Sequence, residues 1–247
     1  MPASRARTLV PVLLLLVVVA VVGGLLVGSS GDDDGAAPAP SASPSVAVEE
    51  PTATAPAVAP TDDAVAAAPS DDAPDLARRV EGDPMAAGPV DAPVSVIVYS
   101  DYSCPYCQSW AVETQPTLLD YAEEGTVRLE WRDVSILGED STRAAVAATA
   151  AAEQGRYPEF HDLLFADMEA RSPAHLTAMA EQLGLDVEQF TADLTDPAVL
   201  GAVQRTMDEA RSLGLQSTPS FIVAGTPVVG AQPAEVFVEL IEAALAP

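Results

Sequence analysis

The chain carries two cysteines, spaced as Cys104-Pro105-Tyr106-Cys107. Two sulfurs at this spacing on the first turn of a helix can close a disulfide across one turn or open to a dithiol. The first thiol then lies at the helix N-terminus, where unpaired amides and the helix dipole favour thiolate. The second lies inside the turn, less accessible and suited to attack a mixed disulfide from within. Pro105 fits early in a helix, where its missing N–H is not needed. Such placement can bring a thiol pKa from about 8.5 to between about 3.5 and 7.5. That range spans oxidants and reductants, so the motif names the chemistry without its direction. Two other uses of the pair are weaker. A zinc site needs two more ligands, and the chain's two histidines, His161 and His175, are 14 apart, outside the usual ligand spacing. A purely structural disulfide over so short a loop removes little unfolded-state entropy.

The elements around the pair can be read from hydrophobic pattern. VSVIVY (94–99) is a β-branched apolar run and reads as a buried strand, followed by the loop SDYS. An amphipathic helix runs from the cysteines to about Glu124, with Pro116 kinking it and Gly125 ending it. TVRLEWRDV (126–134) alternates and reads as a second strand. From Ser141 to Leu213 the pattern is helical, with Ser or Asp at the starts and Gly near the ends. SFIVAG and TPVVG read as a hairpin through Ala224–Gly225, and PAEVFVELIEAALA as a closing helix. The order implies an α/β sheet covered on both faces. Tyr157, Phe160, Leu163 and Leu164 recur at helical spacing as core, with His161 a surface or satisfied histidine among them. Trp110 reads as core packing beneath the cysteines.

Composition divides the 247 residues into three parts and removes several function classes. Eleven cations face 37 acids, a net charge of −26, which argues against a phosphate-backbone binder. All the cations are Arg, so lysine Schiff-base chemistry and the P-loop lysine are excluded. Leu9 to Gly28 is an uncharged run long enough to cross a bilayer, with Arg5 and Arg7 before it and Asp32, Asp33 and Asp34 after it. Residues 1–28 therefore read as a cytoplasmic start and signal anchor, or alternatively as a leader cleaved near Gly28–Ser30. No cysteine directly follows the run to carry a lipid anchor. Residues 29–92 are rich in Ala, Pro and Asp and lack aromatics, which predicts a disordered linker. Residues 93–247, with 24 acids against seven arginines and a net charge of −17, are expected to hold the folded domain.

The strand, the YSDYSCPYC turn, the helical block and the later TPSFIV together resemble a DsbA-like thiol–disulfide oxidoreductase of the thioredoxin superfamily, in a membrane-anchored exported form of actinobacterial type. The resemblance implies a thioredoxin fold with a helical block inserted at about 141–213. It also implies a cis Pro219 facing the cysteines, with the backbone at Thr218 pairing with substrate, and no cofactor. The pair of expected partners is a partly folded exported cysteine-containing protein and a membrane re-oxidase of DsbB or VKOR type. Two positions depart from the pattern. Thioredoxins and several DsbA-type enzymes carry a buried acid six residues before the first cysteine, and here that residue is Val98. Asp101, Glu130 or Asp133 are substitutes, though each also reads as a cap or a solvated charge. Tyr106 stands where strongly oxidising members often have His. The implied function is disulfide donation to exported proteins. A tethered reductase or isomerase, and a non-enzymatic surface interaction domain, are the alternatives.

Overall fold

A computed structural model describes residues 76–169 and 171–246. The expected anchor at 1–28 and most of the expected linker, 29–75, lie outside the described residues. Among those described, no helix is long and apolar enough to cross a membrane.

The sheet has five strands: β1 (Ala86–Ala87), β2 (Val94–Ser100), β3 (Val127–Asp133), β4 (Ser220–Val223) and β5 (Thr226–Val229). Their order is β1-β3-β2-β4-β5, with β2 and β3 parallel and the other pairs antiparallel. Strand β2 is buried along its whole length because both its faces are covered. Val94, Val96 and Val98 join the larger core cluster, while Ile97 and Tyr99 join a smaller one on the other face. The parallel connection places the ends of β2 and β3 together, which is where the cysteine loop begins.

Eight helices cover the sheet among the described residues: α1 (Pro105–Glu113), α2 (Gln115–Glu123), α3 (Glu139–Ala152), α4 (Tyr157–Ala166), α5 (Pro173–Gln182), α6 (Val187–Asp193), α7 (Pro197–Ser212) and α8 (Ala234–Leu245). The predicted kink is a full break between α1 and α2, next to Pro116, whose ring cannot donate a helical bond. Helices α3 to α7 form the expected block, and Ser172, Asp186 and Asp196 cap α5, α6 and α7 through side-chain oxygens. Gly125 closes α2 at φ +82°, a left-handed position where a side chain would strain the turn.

One predicted boundary is wrong. Residues 76–92, expected to belong to the linker, are part of the domain. Strand β1 pairs with Leu129 and Glu130, and Leu76 and Ala77 pack against the smaller core cluster. Gly88 passes so close to β3 that a Cβ there would meet the Val127 carbonyl oxygen at 2.1 Å. The reading of Glu130 as a solvated charge also fails: Glu130 is 0% exposed, and its neighbours on β3, Arg128 and Arg132, are at most 3% exposed. They form a buried ion cluster with Arg128 Nε 2.8 Å and Arg132 Nη2 2.6 Å from the Glu130 carboxylate.

Candidate active site

Strand β2 ends at Ser100, and the loop Asp101–Ser103 turns the chain into α1. Asp101 builds this turn: its carboxylate accepts from Ser103 N at 2.8 Å, and its carbonyl accepts from Cys104 N at 3.0 Å. The same carboxylate accepts from Ile136 N and Leu137 N, tying the loop after β3 to the loop after β2. Cys104 becomes the N-cap residue of α1 and Pro105 its first helical residue. Pro105 and Tyr106 are exposed, Tyr106 by half.

The two thiols sit in different surroundings. Cys104 is 5% exposed and Cys107 fully buried, and both are free thiols. A hydrogen bond from Cys107 is the largest influence on Cys104 and favours its thiolate; burial opposes this, and the Thr218 side chain and the N–H groups of Cys107 and Tyr106 add to it. The result is a Cys104 pKa of about 6. Cys107 is pushed far up, first by burial and then by the facing Cys104 sulfur. Asp101 N donates to Cys107 Sγ at 3.5 Å, and that N–H and the Ser100 side chain act against the rise.

Across the site, Cys104 Sγ donates to the Thr218 carbonyl at 3.3 Å, a contact between residues 114 positions apart. The Thr218–Pro219 peptide is cis, as the resemblance implies. The six residues singled out in the sequence, Cys104, Pro105, Tyr106, Cys107, Thr218 and Pro219, therefore converge on one place. Trp110 packs one layer below, 4.8 Å from Phe221 and 5.9 Å from Phe237 between ring centroids.

Other contributors carried weaker signals. Gln108 Nε2 donates to the Phe165 carbonyl at 2.6 Å, fastening α1 to α4. The buried Arg171 guanidinium donates to the carbonyls of Tyr102, Leu164 and Asp167, joining the cysteine loop to the end of α4. Asp101 had a signal, since an acid two residues before a serine is a turn former. Gln108 and Arg171 had none. Of the three acids considered as substitutes at Val98, none is solvated. Asp101 and Glu130 are 0% exposed and Asp133 2% exposed. His161 is buried among Tyr102, Trp131, Tyr157 and Phe165 rather than at the surface, with Nδ1 3.2 Å from Asp162. Among the described residues no cluster of His, Cys, Asp and Glu is arranged to hold a metal ion.

A family model described as thioredoxin matches residues 81–243. The probable disulfide bond formation protein D of Bacillus anthracis is 31% identical over 148 residues, covering 56% of this chain and 68% of that protein. The Na(+)/H(+) antiporter NhaA 3 of Salinispora tropica is 39% identical over 140 residues, covering 56% of this chain. The chain spans only 21% of that relative's length. Among solved structures, a thioredoxin-like oxidoreductase from Silicibacter pomeroyi is 32% identical with a TM-score of 0.59, covering 67% of this chain and 98% of that one. BdbD of Bacillus subtilis, 24% identical with a TM-score of 0.61, covers 65% of this chain and 92% of its own; at that identity it speaks for the fold alone.

Proposed function

This chain belongs to the thioredoxin family, and from that premise we propose that it is a DsbA-like protein disulfide oxidoreductase that donates the Cys104–Cys107 disulfide to exported proteins. The observation that carries the reading is the asymmetry of the two thiols: Cys104 at about 6, against the Thr218 carbonyl, and Cys107 buried and pushed far up. A client thiolate attacks Cys104 Sγ, the Cys104–Cys107 bond breaks, and Cys107 leaves and takes up a proton. A second client thiolate then attacks the client sulfur of the mixed disulfide. Cys104 leaves as a thiolate, and the client keeps the disulfide. A thiolate that is stable at neutral pH favours the dithiol form of the enzyme, which makes its disulfide the one that is passed on. The client's extended backbone lies along Thr218, and Tyr106 lies against it. A quinone-linked membrane protein of DsbB or VKOR type accepts the electrons. In this reading Leu9–Gly28 is a single membrane anchor, and the catalytic domain lies on the extracytoplasmic side.

The test is the reduction potential of the full chain in glutathione buffers, read by thiol trapping. A value between roughly −120 and −180 mV is expected of a donor. A value near about −270 mV, that of a thioredoxin, reverses the direction of electron flow. Cys104→Ser is expected to abolish exchange and Cys107→Ser to accumulate mixed disulfides. Full exchange by Cys104→Ser would remove the assignment of roles.

A further inference from the structure

The cysteine turn is held from one side by the end of α4. The last four carbonyls of a helix have no partner within it and must find donors elsewhere. At the end of α4 the Leu163 carbonyl accepts from Asp167 N at 3.1 Å, and the Phe165 carbonyl from Gln108 Nε2 at 2.6 Å. The Leu164 carbonyl accepts from Arg171 Nη2 at 2.7 Å. The same nitrogen donates to the Tyr102 carbonyl at 3.0 Å, and Arg171 Nη1 donates to the Asp167 carbonyl at 2.6 Å. One guanidinium therefore joins the open end of α4 to the residue two positions before Cys104. The Tyr102 ring supports the same junction, 4.9 Å from Phe165 between ring centroids.

Charge gives this junction a second consequence. A helix ends in about half a negative charge, which a cation in its last turn commonly offsets. The last turn of α4 has no basic residue. Acids from three places also act on Arg171: Asp101 in the cysteine turn, Asp140 in α3 and Asp167 just after α4. Arg143, on α3, is paired with Glu139 and Asp140, and its Nε donates to the Arg171 carbonyl at 3.1 Å, which fixes the main chain there. Arg171 is 2% exposed, so salt and water screen its charge little. Burial lowers its pKa, yet an arginine stays protonated in a protein. The helix end and the nearby acids oppose a thiolate in the cysteine turn, and Arg171 supplies the opposite sign.

We propose that Arg171 is a positioning residue for Cys104: it holds the Tyr102 carbonyl against the end of α4 and offsets the negative charge gathered beside the cysteine turn. This role rests on the reading of Cys104–Cys107 as a redox pair. Arg171 acts through Tyr102 and α4 rather than by touching the reacting sulfurs. Its charge counts most in the step in which Cys104 leaves the mixed disulfide as a thiolate, because negative charge then develops inside the turn that Arg171 holds. A lysine cannot replace it fully, since the planar guanidinium reaches three carbonyls at once and an ammonium is a point charge.

The experiment follows alkylation of the reduced full chain by iodoacetamide against pH. Cys107 is fully buried, so the rate reports Cys104. In Arg171→Met, which loses both charge and donors, the midpoint is expected to rise by about one unit, and the rate at pH 6 to fall roughly fivefold. In Arg171→Lys, which keeps the charge and loses the fork, the midpoint is expected to rise by a smaller amount. A wild-type midpoint in Arg171→Met overturns the proposal. A rise in Arg171→Lys as large as that in Arg171→Met overturns the part assigned to charge. If Arg171→Met does not fold, Arg171→Gln, neutral but still a donor, is measured against the same criterion. An ordinary thiol midpoint of about 8.5 in the wild-type chain would instead overturn the redox reading beneath it.

Discussion

At the level of single residues, a hydrogen bond between two sulfurs does most to set the site. Cys104 lies near 6 chiefly because Cys107 donates to it. A thiol whose folded pKa is lowered stabilises the dithiol form fully above its unfolded pKa of about 8.5, and that gain is lost as pH falls through about 6. At pH 7 the gain is roughly 1.4 kcal/mol, or about 30 mV toward the oxidant side. Alkylation of Cys104 by iodoacetamide is therefore expected to titrate with a midpoint near 6. Cys107→Ala removes the donor, and since a hydrogen bond to a charged group contributes about 1.5–3 kcal/mol, the midpoint should rise by about one to two units. A midpoint unmoved in Cys107→Ala would assign the lowering to the helix N–H groups instead. The cysteines, Pro105 and Thr218–Pro219 were legible because their chemistry is written in adjacent letters. The bond from Arg171 to the Tyr102 carbonyl was not, because it joins residues 69 positions apart that only the fold brings together.

Among the elements, β3 shows how far pattern can mislead. Its alternation of apolar and charged residues was read correctly as a strand, yet the charged side is buried because the segment 76–80 lies over it. The Glu130 carboxylate accepts from the main-chain N–H of Arg78 at 2.8 Å and of Arg79 at 2.9 Å, besides the guanidinium groups of Arg128 and Arg132. Nothing in the letters Arg78-Arg79 announces that bond, since backbone N–H groups make it. Strand β1 was equally silent: two alanines have neither alternation nor β-branching. Burial pushes the Glu130 pKa up, but these donors outweigh it and hold it at about 2. The stabilisation is therefore complete above about 4.3, the usual glutamate value, and is lost as pH falls through about 2. Removing one partner of a buried ion pair costs about 3–5 kcal/mol. For a domain of this size, Glu130→Ala should lower the thermal midpoint by roughly 6–20 °C. A change below about 2 °C would mean that the cluster is paid back by its desolvation.

On the scale of the whole molecule, the bonds from the Arg78 and Arg79 N–H groups to Glu130 mark where the folded unit begins. With the domain starting near Leu76 rather than at 93, the acid-rich stretch before it is shorter by 17 residues than composition implied. If the chain acts on clients as proposed, its net charge of −26 gives no electrostatic attraction for acidic ones, which leaves main-chain pairing at Thr218 and apolar contact at Tyr106 as the expected docking contacts. The boundary itself can be measured as a coupling. Two fragments, 76–247 and 93–247, differ by the N–H donors of Arg78 and Arg79, the Leu76 and Ala77 packing, and β1. The longer fragment should show the higher urea midpoint. More telling is Glu130→Ala in each, because residues in one hydrogen-bond network show interaction energies of about 0.5–3 kcal/mol. In 76–247 the substitution severs the tie to the N-terminal segment as well as the arginine pairs, so it should cost more there than in 93–247. Equal costs in the two backgrounds would show that the segment packs without help from Glu130, and would return the boundary to residue 93.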